Sequence, residues 1–320
     1  MLELIDSIKK LNSYKIFKND FQNGKLSHSY VVNSSDAYSA ELFDIACSAL
    51  ILGNEKDRGF VEVNLKHAYP DVEFFPKAGS SIKVEDAANI LERLNYFPVK
   101  SCAKVYVLGN FESATTQAQN KLLKTLEEPP ENVYFFLNTS NIEMILPTVR
   151  SRCRTINLEP LPDDIVASAF ASKNMSKEQL DMLMFCAGGR LGYAMELSRN
   201  PIVFDVFQTA LGAILNCTSS LVMLDHASNI LKLKNHFGLF LETYAKLFSA
   251  GLGYSATKKT SYQYLAQELN TISEQYSVDA IAKILQKTTQ LNEMFQRSCN
   301  LPLIVDELLL IQLESKQIKK

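Results

Sequence analysis

The residues best equipped for chemistry are six cysteines, four histidines and two closely spaced arginines. The cysteines stand at 47, 102, 153, 186, 217 and 299. No two form a C-x-x-C pair, and no histidine lies at ligand spacing from such a pair, so no metal site is expected. Scattered single cysteines fit buried thiols in a reducing compartment. A phosphate-binding loop, G-x-x-x-x-G-K-[ST], would cradle phosphates on backbone amides, neutralise them with lysine and hold Mg²⁺ on its hydroxyl. No such pattern occurs in the 320 residues. What remains is Arg150-Ser151-Arg152-Cys153, where a planar, permanently charged guanidinium is suited to phosphate recognition.

The elements that must position these residues fall into two kinds. Ser29-Tyr30-Val31-Val32, Val105-Tyr106-Val107-Leu108 and Val133-Tyr134-Phe135-Phe136-Leu137 are apolar runs that read as strands buried on both faces. Between them, 37–52, 84–94 and 114–128 carry apolar residues at helical spacing, the last stopped by Pro129-Pro130. Alternation of this kind indicates an α/β domain with a parallel sheet covered on both sides. Residues 53–80 read as irregular. After Pro160-Leu161-Pro162 only helical periodicity remains, with breaks at Gly188-Gly189, near 216–220 and near 250–259. The expected domains are 1–160, a small helical lid at 161–205 and a helical region at 206–320.

Composition is that of an ordinary globular chain, with 47% hydrophobic and 21% charged residues and a net charge of −2. That balance announces no nucleic acid, although a local basic face is compatible with it. The first residues, Met1-Leu2-Glu3-Leu4-Ile5-Asp6, lack the apolar run of a signal peptide, and no stretch reaches the ~18 apolar residues of a membrane span. The expected location is the cytoplasm.

Four segments then resemble one family. They are Lys104-Val105-Tyr106-Val107-Leu108; Asn120-Lys121-Leu122-Leu123-Lys124-Thr125-Leu126-Glu127-Glu128-Pro129-Pro130; Phe135-Phe136-Leu137-Asn138-Thr139-Ser140; and Leu146-Pro147-Thr148-Val149-Arg150-Ser151-Arg152-Cys153. In order and spacing, from about residue 26 to 160, they look like the bacterial DNA polymerase III clamp-loader subunits of the AAA+ superfamily. The resemblance implies a RecA-like AAA+ α/β domain, a small helical lid and an all-helical collar that serves in oligomerisation.

The resemblance also locates what is missing. His28-Ser29-Tyr30-Val31-Val32 matches the family's first strand, so the loop after it should bind phosphate. The family's glycines fall on Ser34, Ala37 and Ser39, its lysine on Ala40 and its hydroxyl residue on Glu41. Asp36 and Glu41 bring carboxylates to where a triphosphate would sit, although Asp36 is suited to capping the helix that follows. The Asp-Glu pair at the end of the second family strand, needed for Mg²⁺ and water activation, is replaced by Gly109-Asn110, with Glu112 two residues away. The lid arginine falls on Gly192, and Arg190, if helical, would point about 200° away from that position.

Arg152 matches the arginine that active members of the family present to the ATP of a neighbouring subunit. Arg150, Ser151 and Cys153 accompany it as an interface motif, with Cys153 expected as a buried thiol. Thr139 matches the family's sensor position and is expected to keep a packing or hydrogen-bonding role. Lys121 and Lys124 are expected on a solvated helix face. Residues 53–80 hold no cysteine, so the four-cysteine zinc module common in the family is absent. His67 and Tyr69-Pro70-Asp71 match the segment that follows it. The resemblance implies no cofactor, no nucleotide and no catalysis in this chain, but one arginine acting in trans. The partners it implies are gamma/tau and delta subunits, with the sliding clamp and primed DNA reached through the complex. A degenerate but active AAA+ ATPase and a scaffold outside replication are the alternatives.

Overall fold

The computed structural model describes all residues except 1, 78–80, 172–174, 261, 298 and 317–320. The backbone divides into two compact units. The first comprises Met1–Ser172 with Gly189–Tyr193, and the second Lys173–Gly188 with Ala194–Lys320.

The first unit begins with helices α1 (Leu2–Ile8) and α2 (Asn12–Gln22). There follow β1 (Ser29–Asn33), α3 (Ala37–Ile51), α4 (Arg58–Asn64) and β2 (Val72–Phe75). Next come α5 (Val84–Arg93), β3 (Lys104–Leu108), α6 (Thr116–Glu127) and β4 (Val133–Thr139). The series ends with α7 (Pro147–Arg150), β5 (Arg154–Asn157) and α8 (Asp163–Ser168). All described strand pairs are parallel, in the order β2-β3-β4-β1-β5.

The three apolar runs are the three central strands, where burial on both faces explains their uniform composition. The helices expected at 37–52, 84–94 and 114–128 are α3, α5 and α6. The region 53–80 is not irregular throughout. It holds α4, capped by the Asp57 carboxylate on the Gly59 amide at 2.8 Å, and the edge strand β2. Asp71, just before β2, is buried and accepts the Val99, Lys100 and Ser101 amides at 2.6–2.8 Å.

The second unit is helical. Its helices are α9 (Lys177–Ala187), α11 (Ile202–Asn216), α12 (Ser220–Lys232), α13 (Phe237–Thr257), α14 (Ala266–Gln275), α15 (Val278–Gln296) and α16 (Leu301–Ser315). The short α10 (Leu191–Leu197) begins in the first unit and ends in the second. Gly188 ends α9 in a left-handed conformation, as the glycine pair suggested. The break expected near 250–259 falls at the end of that range, where α13 stops at Thr257 and Lys258 takes a left-handed conformation. Within α13, Gly251 is there for close approach: a Cβ would lie 2.6 Å from the Ile272 side chain. On α16 the apolar stripe turns inward at Ile304, Val305, Leu308 and Leu309, while Leu303 and Leu310 are exposed. A buried polar cluster ties this unit together. Tyr244 donates to Gln312 Oε1 at 2.6 Å, and Gln312 Nε2 donates to the Ala213 carbonyl at 2.8 Å.

Candidate functional site

The loop after β1 is closed by its own side chains. Ser34, Asp36, Ser39 and Ala40 are all buried. Asp36 is the N-cap of α3, as its position suggested, but it does more than cap. Its Oδ2 accepts the Ser39 amide at 3.0 Å and the Ser39 hydroxyl at 2.5 Å. The same oxygen accepts the Gly192 amide at 3.1 Å, and Oδ1 accepts the Tyr193 amide at 3.2 Å. One carboxylate, 7% exposed, thus takes four donors, three of them backbone amides at the starts of two helices. Amides at a helix start are the usual partners of a bound phosphate. Here the protein supplies the anion itself.

Gly192 is part of this arrangement. A Cβ at 192 would lie 2.7 Å from Tyr38 Cβ and 2.8 Å from Asp36 Oδ1. An arginine at that position is therefore incompatible with Asp36 where it stands. Arg190 is not on α10, which starts at Leu191, so the helical angle expected for it does not apply. Its guanidinium lies over the Tyr193 ring, 4.2 Å from the centroid.

Ala37 is exposed and Ala40 is buried without a polar atom to offer. Glu41 pairs with His67 Nε2 at 2.9 Å. Ser34 Oγ bonds within its own loop, to the Asp36 amide and carbonyl. Gly109 donates to the Phe75 carbonyl, and Asn110 turns the chain in a left-handed conformation. Glu112 Oε1 accepts the Ser140 hydroxyl at 2.7 Å. Thr139 is buried, and its hydroxyl accepts the Asn141 amide at 3.1 Å. Among the described residues no group of three His, Cys, Asp or Glu is placed to hold a metal ion.

Beneath the loop, α3 carries a fully buried acid that sequence reading did not single out. Asp44 Oδ2 accepts Asn138 Nδ2 at 2.6 Å, while Asp44 Oδ1 and Asn138 Oδ1 have no partner among the described residues. Burial pushes the Asp44 carboxyl well above the usual carboxylate range and Glu41 adds to this, against the lowering effect of Asn138. Burial thus favours the protonated carboxyl of Asp44. The folded state therefore holds this proton at pH values where the unfolded chain, titrating near 3.8, has released it. By linkage the contribution of Asp44 to stability falls as pH rises through that interval. Asp44→Asn should be progressively more stable than the parent as pH goes from mildly acidic to mildly alkaline, as read from paired urea titrations. A constant difference would show that Asp44 is ionised in the fold.

Arg152 lies beyond α7 and just ahead of β5. Its Nε and Nη2 both donate to Glu127 Oε2, at 3.2 and 3.0 Å, and its Nη1 donates to the Thr148 carbonyl at 2.9 Å. The side chain is 30% exposed and that of Glu127 58%. Arg150 instead pairs with Glu143 at 3.0 Å, and Ser151 Oγ donates to the Thr148 carbonyl. Cys153 packs on the core, and burial pushes its thiol up to about 12, which leaves it inert at neutral pH. Lys121 and Lys124 are exposed on α6. The only sign of the Arg152–Glu127 pair legible beforehand was the oddity of acids at a helix C-terminus, which the helix dipole disfavours.

Comparison with known proteins accords with these features. Residues 9–162 match the family described as DNA polymerase III, delta subunit. The gamma subunit of DNA polymerase III from Buchnera aphidicola (Schizaphis graminum strain) is 27% identical over 220 residues, 59% of this chain and 57% of that protein. The delta-prime subunit from Escherichia coli is 34% identical over 122 residues, 38% of this chain and 36% of that one. The chain thus spans less than two thirds of these curated relatives. A solved gamma-subunit-related protein from Thermotoga maritima aligns over 95% of this chain and 99% of its own, at 17% identity and a TM-score of 0.44. The first unit is α/β with a five-stranded parallel sheet, and the second is helical. Through residues 9–162 the chain is similar to the subunits of DNA polymerase III. Among the described residues no helix is long and apolar enough to cross a membrane.

Proposed function

We propose that this chain is a delta-prime-type subunit of the DNA polymerase III clamp loader, a stator without nucleotide of its own. It supplies Arg152 in trans to the ATP site of an adjacent gamma or tau subunit and so supports loading of the sliding clamp in replication. The observation that carries the reading is the Asp36 carboxylate, which occupies the amides a phosphate would need, while Arg152 remains at the surface. The chain has no ATPase activity of its own under this reading. The alternative of a degenerate active ATPase would require Asp36 to leave four donors and some other lysine to replace the missing one at Ala40.

The remaining parts follow from the family. Residues 161–205 act as the lid and 206–320 as the oligomerisation collar. The working location is the cytoplasm, the direct partners are gamma/tau and delta subunits, and the clamp and primed DNA are met through the complex. Mixing the purified chain with gamma- or tau-type and delta-type subunits should give one complex on size exclusion, with clamp-dependent ATP turnover. A folded chain that stays outside that complex would rule the proposal out.

A further inference from the structure

We infer that Glu127 is the positioning residue of the trans-acting arginine. This rests on the function proposed for Arg152.

A guanidinium has five N–H donors. Two of them, on Nε and Nη2, are spent on the single oxygen Oε2 of Glu127, and a third, on Nη1, on the Thr148 carbonyl. One N–H on each terminal nitrogen is left for an outside acceptor. An arginine side chain otherwise carries about 2 kcal/mol of rotamer entropy, so a finger left unfastened must be ordered anew at each turnover. Glu127 and Thr148 hold it before the neighbour arrives. Both anchors are on rigid elements: Glu127 ends α6, where Pro129-Pro130 prevents continuation, and Thr148 is on α7. Glu127 is also the residue whose sign is unfavourable to its own helix end, which the Arg152 cation offsets. With 58% of its side chain exposed, Glu127 buries little and contributes little to the fold. Its contact is with the arginine.

The test is a mutant cycle in the reassembled complex of this chain with gamma- and delta-type subunits. Glu127→Ala should lower kcat for ATP by roughly 10- to 100-fold, the scale of a misplaced catalytic group, with KM little changed. Glu127→Gln, which keeps an acceptor oxygen, should recover most of the rate. With Arg152→Ala already in place, Glu127→Ala should add no further loss. An unchanged or faster Glu127→Ala complex, alongside a slow Arg152→Ala complex, would overturn the positioning role alone. An Arg152→Ala complex that runs at the parent rate would instead remove the finger itself, and the inference with it.

Discussion

Arg152→Ala should slow hydrolysis at the neighbouring ATP site by about 10³-fold or more, the range measured for arginines that stabilise charge on a transferring phosphoryl group. The effect belongs to the transition state, so binding of ATP to the neighbour should change far less than turnover. Arg152→Lys should stay slow, because an ammonium cannot reproduce the fork that holds Glu127 on one edge and leaves an N–H free on each terminal nitrogen. Single-turnover hydrolysis in the assembled complex reads this most cleanly, since any other ATP sites would mask the loss in steady state. Assembly should survive the substitution, because the pair it breaks is solvent-facing and worth little to the fold. A parent-like single-turnover rate would refute the trans role.

The second large effect is at Asp36. Asp36→Ala strands the Ser39, Gly192 and Tyr193 amides around a buried gap, and each unmade bond to a charged acceptor costs about 1.5–3 kcal/mol. Some of that returns through water, so a local loss of about 3 kcal/mol is expected. Amide exchange at Gly192 and Tyr193 should then accelerate about 100-fold, at 1.4 kcal/mol per decade. Asp36→Asn should be milder, since its amide oxygen can keep the Ser39 and Gly192 donors and only the Tyr193 amide would face its nitrogen. The variant should still bind no nucleotide, because Ala40 offers no cation. Exchange unchanged from the parent would mean the carboxylate is incidental.

The two sites were legible to different depths. The departure from the family's nucleotide-binding pattern could be read at Ala40, Glu41, Gly109 and Gly192, because a missing lysine or glycine is a statement about one residue. What replaced it could not be read, because Asp36 and Gly192 are 156 positions apart and meet only in the fold. Gly192 appeared as an absent arginine; it is a residue without a Cβ, as the carboxylate beside it demands. The same limit hid Glu127 from Arg152.

In the fold, the central strands were visible because burial on both sides writes an unbroken apolar run. The edge strand β5 was not, since only Ile156 of its four residues is even half-buried. The helix α4 was hidden in a stretch with few apolar residues, where Phe60, Val61 and Asn64 form its buried side.

The claim on which the account turns is that this chain's phosphate position is filled by its own carboxylate. Titration of MgATP onto the isolated full chain tests it most directly. The account predicts no saturable binding up to millimolar nucleotide. Saturable binding in the micromolar range, displaced by ADP, would contradict it.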